Sequence, residues 1–294
     1  MKKLLAALLA LLCLPVMTAL GDTQGDFTYA LTPEGAVVTM YYVEDAAQTP
    51  AVITVPDALG GQPVVGIGEN AFNNSESAFD GGLVEAIILP GTLRYLDDGA
   101  FTCCHDVKKL YFPASLERIA EGCFSHVTAE IALDPDNPYF TVERGYLIDR
   151  RADTLLYAPR LRAGDAIDLP RVRRLGEGAL ENLYYAATAL TIPDSVTELE
   201  PNSLCSMNLV SLALPGSVKH IPESLCESAA LTELTLAEGI ETIGDYAFYR
   251  TALRQVTLPA SVRRVGANAF PADCEVICLN PDAQILPPDA ETQY

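Results

Sequence analysis

Apolar residues return along this chain at two nested periods. Over a few residues they alternate with polar ones, as where Leu234 and Leu236 are interleaved with Glu233 and Thr235. That is the two-residue period of a strand with one buried face. The short stretches then recur as larger units: Leu231-Thr-Glu-Leu234-Thr-Leu236-Ala-Glu-Gly-Ile240-Glu-Thr-Ile243-Gly-Asp-Tyr-Ala247-Phe248 is matched by Leu253-Arg-Gln-Val256-Thr-Leu258-Pro-Ala-Ser-Val262-Arg-Arg-Val265-Gly-Ala-Asn-Ala269-Phe270, a shift of 253 − 231 = 22 residues. A unit this short cannot bury its apolar side alone, so the pattern predicts coils stacked into a solenoid with one continuous core.

The columns of the stack can be read upstream. A proline closes the short strand at Pro56, Pro90, Pro113, Pro170, Pro193, Pro215 and Pro259, where the ladder ends and the missing N–H costs nothing. Behind it come an aliphatic column of Ile67, Leu96, Ile119, Leu175, Leu199, Ile221, Ile243 and Val265, a small column of Ala71, Ala100, Cys123, Ala179, Ser203, Ser224, Ala247 and Ala269, and a large apolar column of Phe72, Phe101, Phe124, Leu180, Leu204, Leu225, Phe248 and Phe270. In the coil after Pro215 plain counting places Cys226 in the large column; the match of Pro201-Asn-Ser-Leu204-Cys205 with Pro222-Glu-Ser-Leu225-Cys226 places Leu225 there and implies a deleted residue after Ile221. A short helical or 3-10 segment is expected to carry the small and large residues back to the core. Two stretches depart from the template. Residues 22–50 read as a β-hairpin cap, with strands around Pro33-Glu34-Gly35, and the segment near 137–160, with turn signals at Glu143-Arg144-Gly145 and Arg150-Arg151-Ala152-Asp153, reads as a hairpin protruding from the solenoid over 51–280. Residues 281–294 read as a C-terminal tail.

The pattern Leu-x-x-Leu-x-Leu-Pro-x-x-Val-x-x-Ile-x-x-x-Ala-Phe resembles the BspA-like class of bacterial leucine-rich repeats over about residues 50 to 280. The resemblance implies an α/β repeat solenoid, a curved right-handed superhelix of short parallel strands joined by turns and short helical or 3-10 segments, with the hairpin as its N-terminal cap. It also implies a secreted or surface protein that binds other proteins.

Composition changes the picture at three points. Lys2 and Lys3 precede the apolar run Leu4 to Leu14, and Ala19-Leu20-Gly21 offers a small-residue cleavage site, so residues 1–21 read as a signal peptide. Pro15 and the shortness of the run argue against a membrane anchor, and Leu12 argues against lipidation at Cys13. Without Lys2 and Lys3 the charge is 17 − 39 = −22, which argues against nucleic acid or anionic lipid, since phosphate binding depends on clustered cations. Of eight cysteines, seven remain after cleavage, an odd number with no C-x-x-C pair.

No nucleophile elbow, zinc-protease, phosphate-loop or dinucleotide motif is present, so the sequence predicts no enzyme, no cofactor and no metal site. Asp134-Pro-Asp136-Asn137 reads as a turn rather than a calcium loop, and His105, His126 and His220 read as isolated loop residues. The outward positions of the strands form two rows: Thr54, Ile88, Tyr111, Ala132, Asp168, Thr191, Ala213, Thr235 and Thr257, and beside them Val52, Ala86, Lys109, Glu130, Ala166, Ala189, Ser211, Glu233 and Gln255. A large ring and a charge meet only at Tyr111 and Lys109, with Glu130 next in the row, which makes these three the candidate partner site; Tyr111 as a mere strand former is the competing reading. The function classes in play are a monomeric protein-binding module addressing host, another bacterium or the cell's own envelope, and a glycan-binding module, against which the absence of Trp counts. Leu286-Pro287-Pro288-Asp289 lacks the remainder of a cell-wall sorting signal. Finally, Cys205 and Cys226 occupy equivalent places if the unit match at Leu204 and Leu225 holds, which would allow a disulfide between stacked coils; two buried thiols are the other reading.

Overall fold

The computed structural model describes residues 21–287 except 44–48, 74–83, 103, 105–106, 121, 163–164, 166, 184–185, 187, 206 and 227–229. The signal-peptide reading, His105, Ala166 and the tail from residue 288 onward therefore lie outside the described residues. The chain opens with an antiparallel meander of β1 (Asp22–Gln24), β2 (Phe27–Thr32) and β3 (Gly35–Tyr41). Its tight turn is held by Thr32 Oγ1, which accepts the backbone N–H of Glu34 at 3.2 Å.

The first coils contribute β4 (Val52–Thr54), β5 (Ala58–Leu59), β6 (Gln62–Ile67), β7 (Ala86–Ile88), β8 (Tyr95–Leu96), β9 (Lys109–Phe112), β10 (Arg118–Ile119) and β11 (Glu130–Leu133). They sort into two parallel rows, β4-β7-β9-β11 and β3-β6-β8-β10, so the cap seeds the second row directly. The inserted segment forms β12 (Phe140–Glu143), β13 (Tyr146–Asp149) and β14 (Thr154–Tyr157), and the remaining coils form β15 (Arg174–Leu175), β16 (Ala189–Thr191), β17 (Glu198–Leu199), β18 (Ser211–Leu214), β19 (His220–Ile221), β20 (Glu233–Leu236), β21 (Thr242–Ile243), β22 (Gln255–Leu258), β23 (Arg264–Val265), β24 (Glu275–Cys278) and β25 (Gln284–Ile285). The first row resumes as β16-β18-β20 and β22-β24, the second as β14-β15-β17 and β19-β21-β23-β25.

The aliphatic column thus lies on a strand row of its own: Ile67 pairs with Leu96, Leu96 with Ile119, Leu175 with Leu199, and Ile221 with Ile243 and then Val265. Between the rows, the proline carbonyl closes a turn by accepting the N–H three residues on at Pro90, Pro113, Pro193, Pro215 and Pro259. A neighbouring hydroxyl reaches back one coil: Ser115 Oγ donates to Leu93 O at 2.6 Å and Ser217 Oγ to Val196 O at 2.7 Å. These bonds satisfy carbonyls that a buried turn would otherwise leave unpaired.

The helical element of the expected α/β fold does not form. Among the described residues the one helical segment is a 3-10 turn at Glu181–Leu183. The return arm is a turn because one residue per coil is left-handed: Asn70, Gly99, Gly122, Gly178, Asn202, Ser224, Tyr246 and Asn268 all have φ between 50° and 63° except Gly122 at 77°. A left-handed residue cannot propagate a right-handed helix.

The same residues fix the register, and they correct it at one coil. In each coil the left-handed residue immediately precedes the small column, and the next N–H bonds the small residue of the following coil: Phe72 to Ala100 O, Phe248 to Ala269 O. Ser224 is the left-handed residue of its coil, Leu204 N–H bonds Leu225 O, and Cys226 N–H bonds Ala247 O. Leu225 therefore stands in the small column and Cys226 in the large one, with no deletion after Ile221. The two side chains exchange sizes, so the volume of the pair is kept although the sequence unit Ser-Leu-Cys repeats one position out of frame.

The segment expected to protrude is instead built into the stack. Arg144 and Gly145, both at positive φ, close β12 onto β13 as a two-residue hairpin requires, and β14 then pairs in parallel with β15. Phe140, Leu147 and Leu155 are fully buried. Leu147 packs with the core of residues 27–131, whereas its neighbours Tyr146 and Ile148 pack with the core that continues to Phe270. Strand β13 is a wall with one core on each side, its alternating side chains serving both.

Candidate partner-binding face

The first strand row carries the candidate site. Register places Tyr111 between Ile88 and Ala132, with Thr54 beyond Ile88, and places Lys109 between Ala86 and Glu130. Lys109 Nζ lies 2.8 Å from Glu130 Oε1 and 5.3 Å from the centre of the Tyr111 ring. The hydrogen bond to Glu130 raises the Lys109 ammonium above its ordinary value. The three residues named from the sequence are thus brought together, and two were missed. Ile88, 38% exposed, is the in-register neighbour of Tyr111 at 41%, and Val52, 44% exposed, stands diagonally beyond Ile88 on the next strand, so the three form an oblique apolar strip across three adjacent strands. Their signal was available as two large aliphatic residues at outward positions of the rows. Lys108 and Glu85 pair at 3.6 Å at the strand entrances, and a groove of about 420 Å³ runs beside Tyr111 between Leu89, Pro113 and Asp134.

Farther along, the same face is small and neutral at Thr191, Ala213 and Thr235, which are in register, and it ends where Thr257 pairs with Ile277, 38% exposed. Asp168, counted in the row from the sequence, lies outside any strand and is ion-paired with Arg144 of the insertion.

Cys205 and Cys226 form no disulfide with each other and do not occupy equivalent places. Because the register sets Cys226 in the large column, Cys205 sits one position beyond it; the Cys205 thiol bonds Ser224 O at 3.0 Å and the Cys226 thiol bonds Leu204 O at 3.6 Å. Burial pushes the Cys226 thiol up to about 12. Asn137 is buried, its amide donating to the carbonyls of Pro113, Ala114 and Leu116 and accepting from Tyr139 and Phe140 N–H, so the Asp134 to Asn137 segment is a turn locked to the coil before it. Among the described residues no group of three or more His, Cys, Asp and Glu is placed to hold a metal ion. His126 Nδ1 lies 2.7 Å from Glu181 Oε1 across the insertion. His220 begins strand β19 rather than lying in a loop, its Nδ1 2.9 Å from Thr242 Oγ1.

The family of BspA type leucine rich repeat regions matches this chain in six copies, over residues 61–133 and 165–277. The chain belongs to that family. The stretch between the two matched blocks of BspA-type repeats, residues 134–164, contains the β12-β13-β14 meander, so the family pattern breaks where the core is divided. Solved structures similar to this BspA-type chain include a leucine rich cell surface protein from Faecalibacterium prausnitzii A2-165, at 17% identity over 89% of this chain and 95% of that one with a TM-score of 0.49. A leucine-rich repeat protein from Bacteroides ovatus is similar at 16% identity over 91% and 71%, TM-score 0.47, and the leucine rich repeat protein of T. pallidum at 20% over 78% and 88%, TM-score 0.38. No curated protein matches the chain. No helix of the described residues is long and apolar enough to cross a membrane.

Proposed function

We propose that the protein is an exported, non-enzymatic interaction protein that holds a protein partner of host, bacterial or envelope origin against the outward face of its N-terminal coils, at the cell surface or in the extracellular space. The observation that carries this reading is the strip of Val52, Ile88 and Tyr111, each more than a third exposed, edged by the Lys109–Glu130 and Lys108–Glu85 pairs. An apolar and aromatic centre with a charged rim is the anatomy of an energetic hot spot. The Lys109 ammonium above Tyr111 holds the ring in one orientation and leaves it ready for contact. Export is supported by Lys2, Lys3 and the apolar run Leu4 to Leu14.

The test is a pull-down of residues 22–294 against envelope and host-matrix extracts, repeated with the Lys109→Ala, Tyr111→Ala double variant. Loss of the recovered partner with an unchanged melting curve is the expected result. Unchanged recovery would place the interaction on another face.

A further inference from the structure

The two departures from the repeat converge on one feature. The cap turn at Pro33 and Glu34 and the insertion turn at Arg151 stand at opposite ends of a trough of about 700 Å³ whose floor is strands β8 and β10 of the second row. We infer that this trough binds an uncharged oligosaccharide of disaccharide to trisaccharide size, at a site separate from the protein-binding face.

The volume lies within the range of small-molecule sites, about 300 to 1,000 Å³. Its polar groups are held rather than free. Arg94 is clamped to Glu117, Nε at 3.2 Å and Nη2 at 3.3 Å from the two carboxylate oxygens. The Arg118 guanidinium lies over the Tyr95 ring, 4.8 Å from its centre, with Nη2 donating to Asp97 Oδ1 at 2.9 Å. Tyr95 in turn rests on the backbone of Gly66, where a Cβ would collide with the ring. Arg151 lies on the Tyr139 ring at 4.5 Å and donates to Glu117 O at 2.7 Å. Side chains fixed by stacking and paired bonds lose little freedom when a ligand arrives.

The charge balance decides the ligand class. Arg94, Arg118 and Arg151 are matched by Glu34, Asp97 and Glu117 in the lining, and Arg151 is paired besides with Asp149 at 3.1 Å, so the trough offers donors and acceptors side by side with no cationic excess to select an anion. The chain carries −20 overall, a field that repels anions from a distance. An apolar ligand would strip water from charged groups without replacing their bonds. A sugar hydroxyl both donates and accepts, so neighbouring hydroxyls can take a bond from a guanidinium edge and give one to a carboxylate. Because the faces of Tyr95 and Tyr139 are covered by arginines, recognition here runs through edge hydrogen bonds and not through ring stacking.

The experiment is an array of uncharged oligosaccharides with gluco, galacto, manno and N-acetylglucosamine linkages, printed beside sialylated and sulfated ones, followed by calorimetric titration of any uncharged hit. Binding to at least one uncharged oligosaccharide is expected, with affinity lowered tenfold or more by Arg118→Ala and by Arg94→Ala and left unchanged by Tyr111→Ala. Arg94 and Arg118 are at least half exposed, so these variants should keep the parent melting curve, and Glu34→Gln, on the cap turn, gives an independent check away from the strand rows. Absence of any uncharged hit, binding confined to acidic glycans, or hits indifferent to both arginine variants would each overturn the inference. Since Tyr111→Ala tests the protein-binding face separately, failure of one site does not count against the other.

Discussion

The coils before the insertion and those after it solve the same packing problem with different side chains. Before it, the large column is aromatic and stacks coil on coil: Tyr41 on Phe72 at 5.5 Å, Phe72 on Phe101 at 5.2 Å, Phe101 on Phe124 at 6.4 Å, and Phe124 edge-on to Tyr157 of the insertion at 5.4 Å. After it, the column runs Leu180, Leu204 and Cys226 before aromatic contact returns between Phe248 and Phe270 at 5.4 Å. The outer faces differ in the same sense. In the row of Tyr111 the first half exposes Ile88 and Tyr111, with Val52 beside them in the neighbouring row; the second presents Thr191, Ala213 and Thr235 before Ile277 at its end. Up to that last strand the more regular half is the plainer one. Strict repetition reports packing, and both proposed sites lie in the half that is bounded by the cap and the insertion.

The comparison can be broken first at the column. Phe101→Ala removes a fully buried ring with stacked neighbours on both sides and should cost about 3 to 5 kcal/mol, against about 1 kcal/mol for Cys226→Ala, because far less volume is lost. Equal losses in urea melts would show that the aromatic stack holds no special share of stability.

The alkaline limb sharpens it next. Burial pushes the Tyr41 hydroxyl up to about 12 and the Tyr157 hydroxyl higher, and both belong to the first core. A phenol with a raised folded value keeps its proton after the unfolded chain has lost it. Its contribution is therefore complete below the unfolded value of about 10 and is lost as pH rises toward the folded value. Stability should fall between pH 10 and 12, and Tyr157→Phe should flatten part of that fall even though it also removes the bond to Ala129 O at 2.5 Å. An unchanged alkaline slope in the variant would contradict the assignment.

The thiols give a smaller readout. Mass spectrometry of unreduced protein should find no Cys205–Cys226 peptide. In the folded state Cys205 should alkylate well before Cys226, whose thiol is held protonated by burial and so lacks the reactive thiolate. The smallest effect belongs to Thr235→Ala, an exposed outward position expected to change stability by no more than about 0.5 kcal/mol.

Much of this was legible in the sequence. The aliphatic column stands where the spacing placed it, and so do the closing prolines and the outward rows except around Pro170, where Asp168 lies outside any strand, because residues repeated at 22 can be stacked only in register. The BspA-type resemblance carried the architecture for the same reason. What was misread has a common cause: backbone conformation leaves a weaker mark than side-chain pattern. Nothing in Ser224 or Tyr246 announces a positive φ, yet those residues abolish the helical segment and set Cys226, not Leu225, in the large column. The second strand row was hidden because most of its strands are two residues long, too short to show alternation. The insertion looked like a projecting hairpin because its turn signals are clear. Its burial depends on Leu147 and Ile148 facing different cores, a tertiary fact. The trough joins residues far apart in sequence, Glu34, Arg94, Arg118 and Arg151, and no single repeat contains its pattern.

The central claim is that the outward face of the N-terminal coils, and not the matching face farther along, is where a protein partner sits. It is tested most directly by placing a photo-cross-linking amino acid at Tyr111 in one variant and at Ala213 in another, two outward positions of the same strand row, and irradiating each with the envelope and host-matrix extracts. A discrete cross-linked species is expected from position 111 and little or none from position 213. Equal yields at the two positions, or a product from 213 alone, would contradict it.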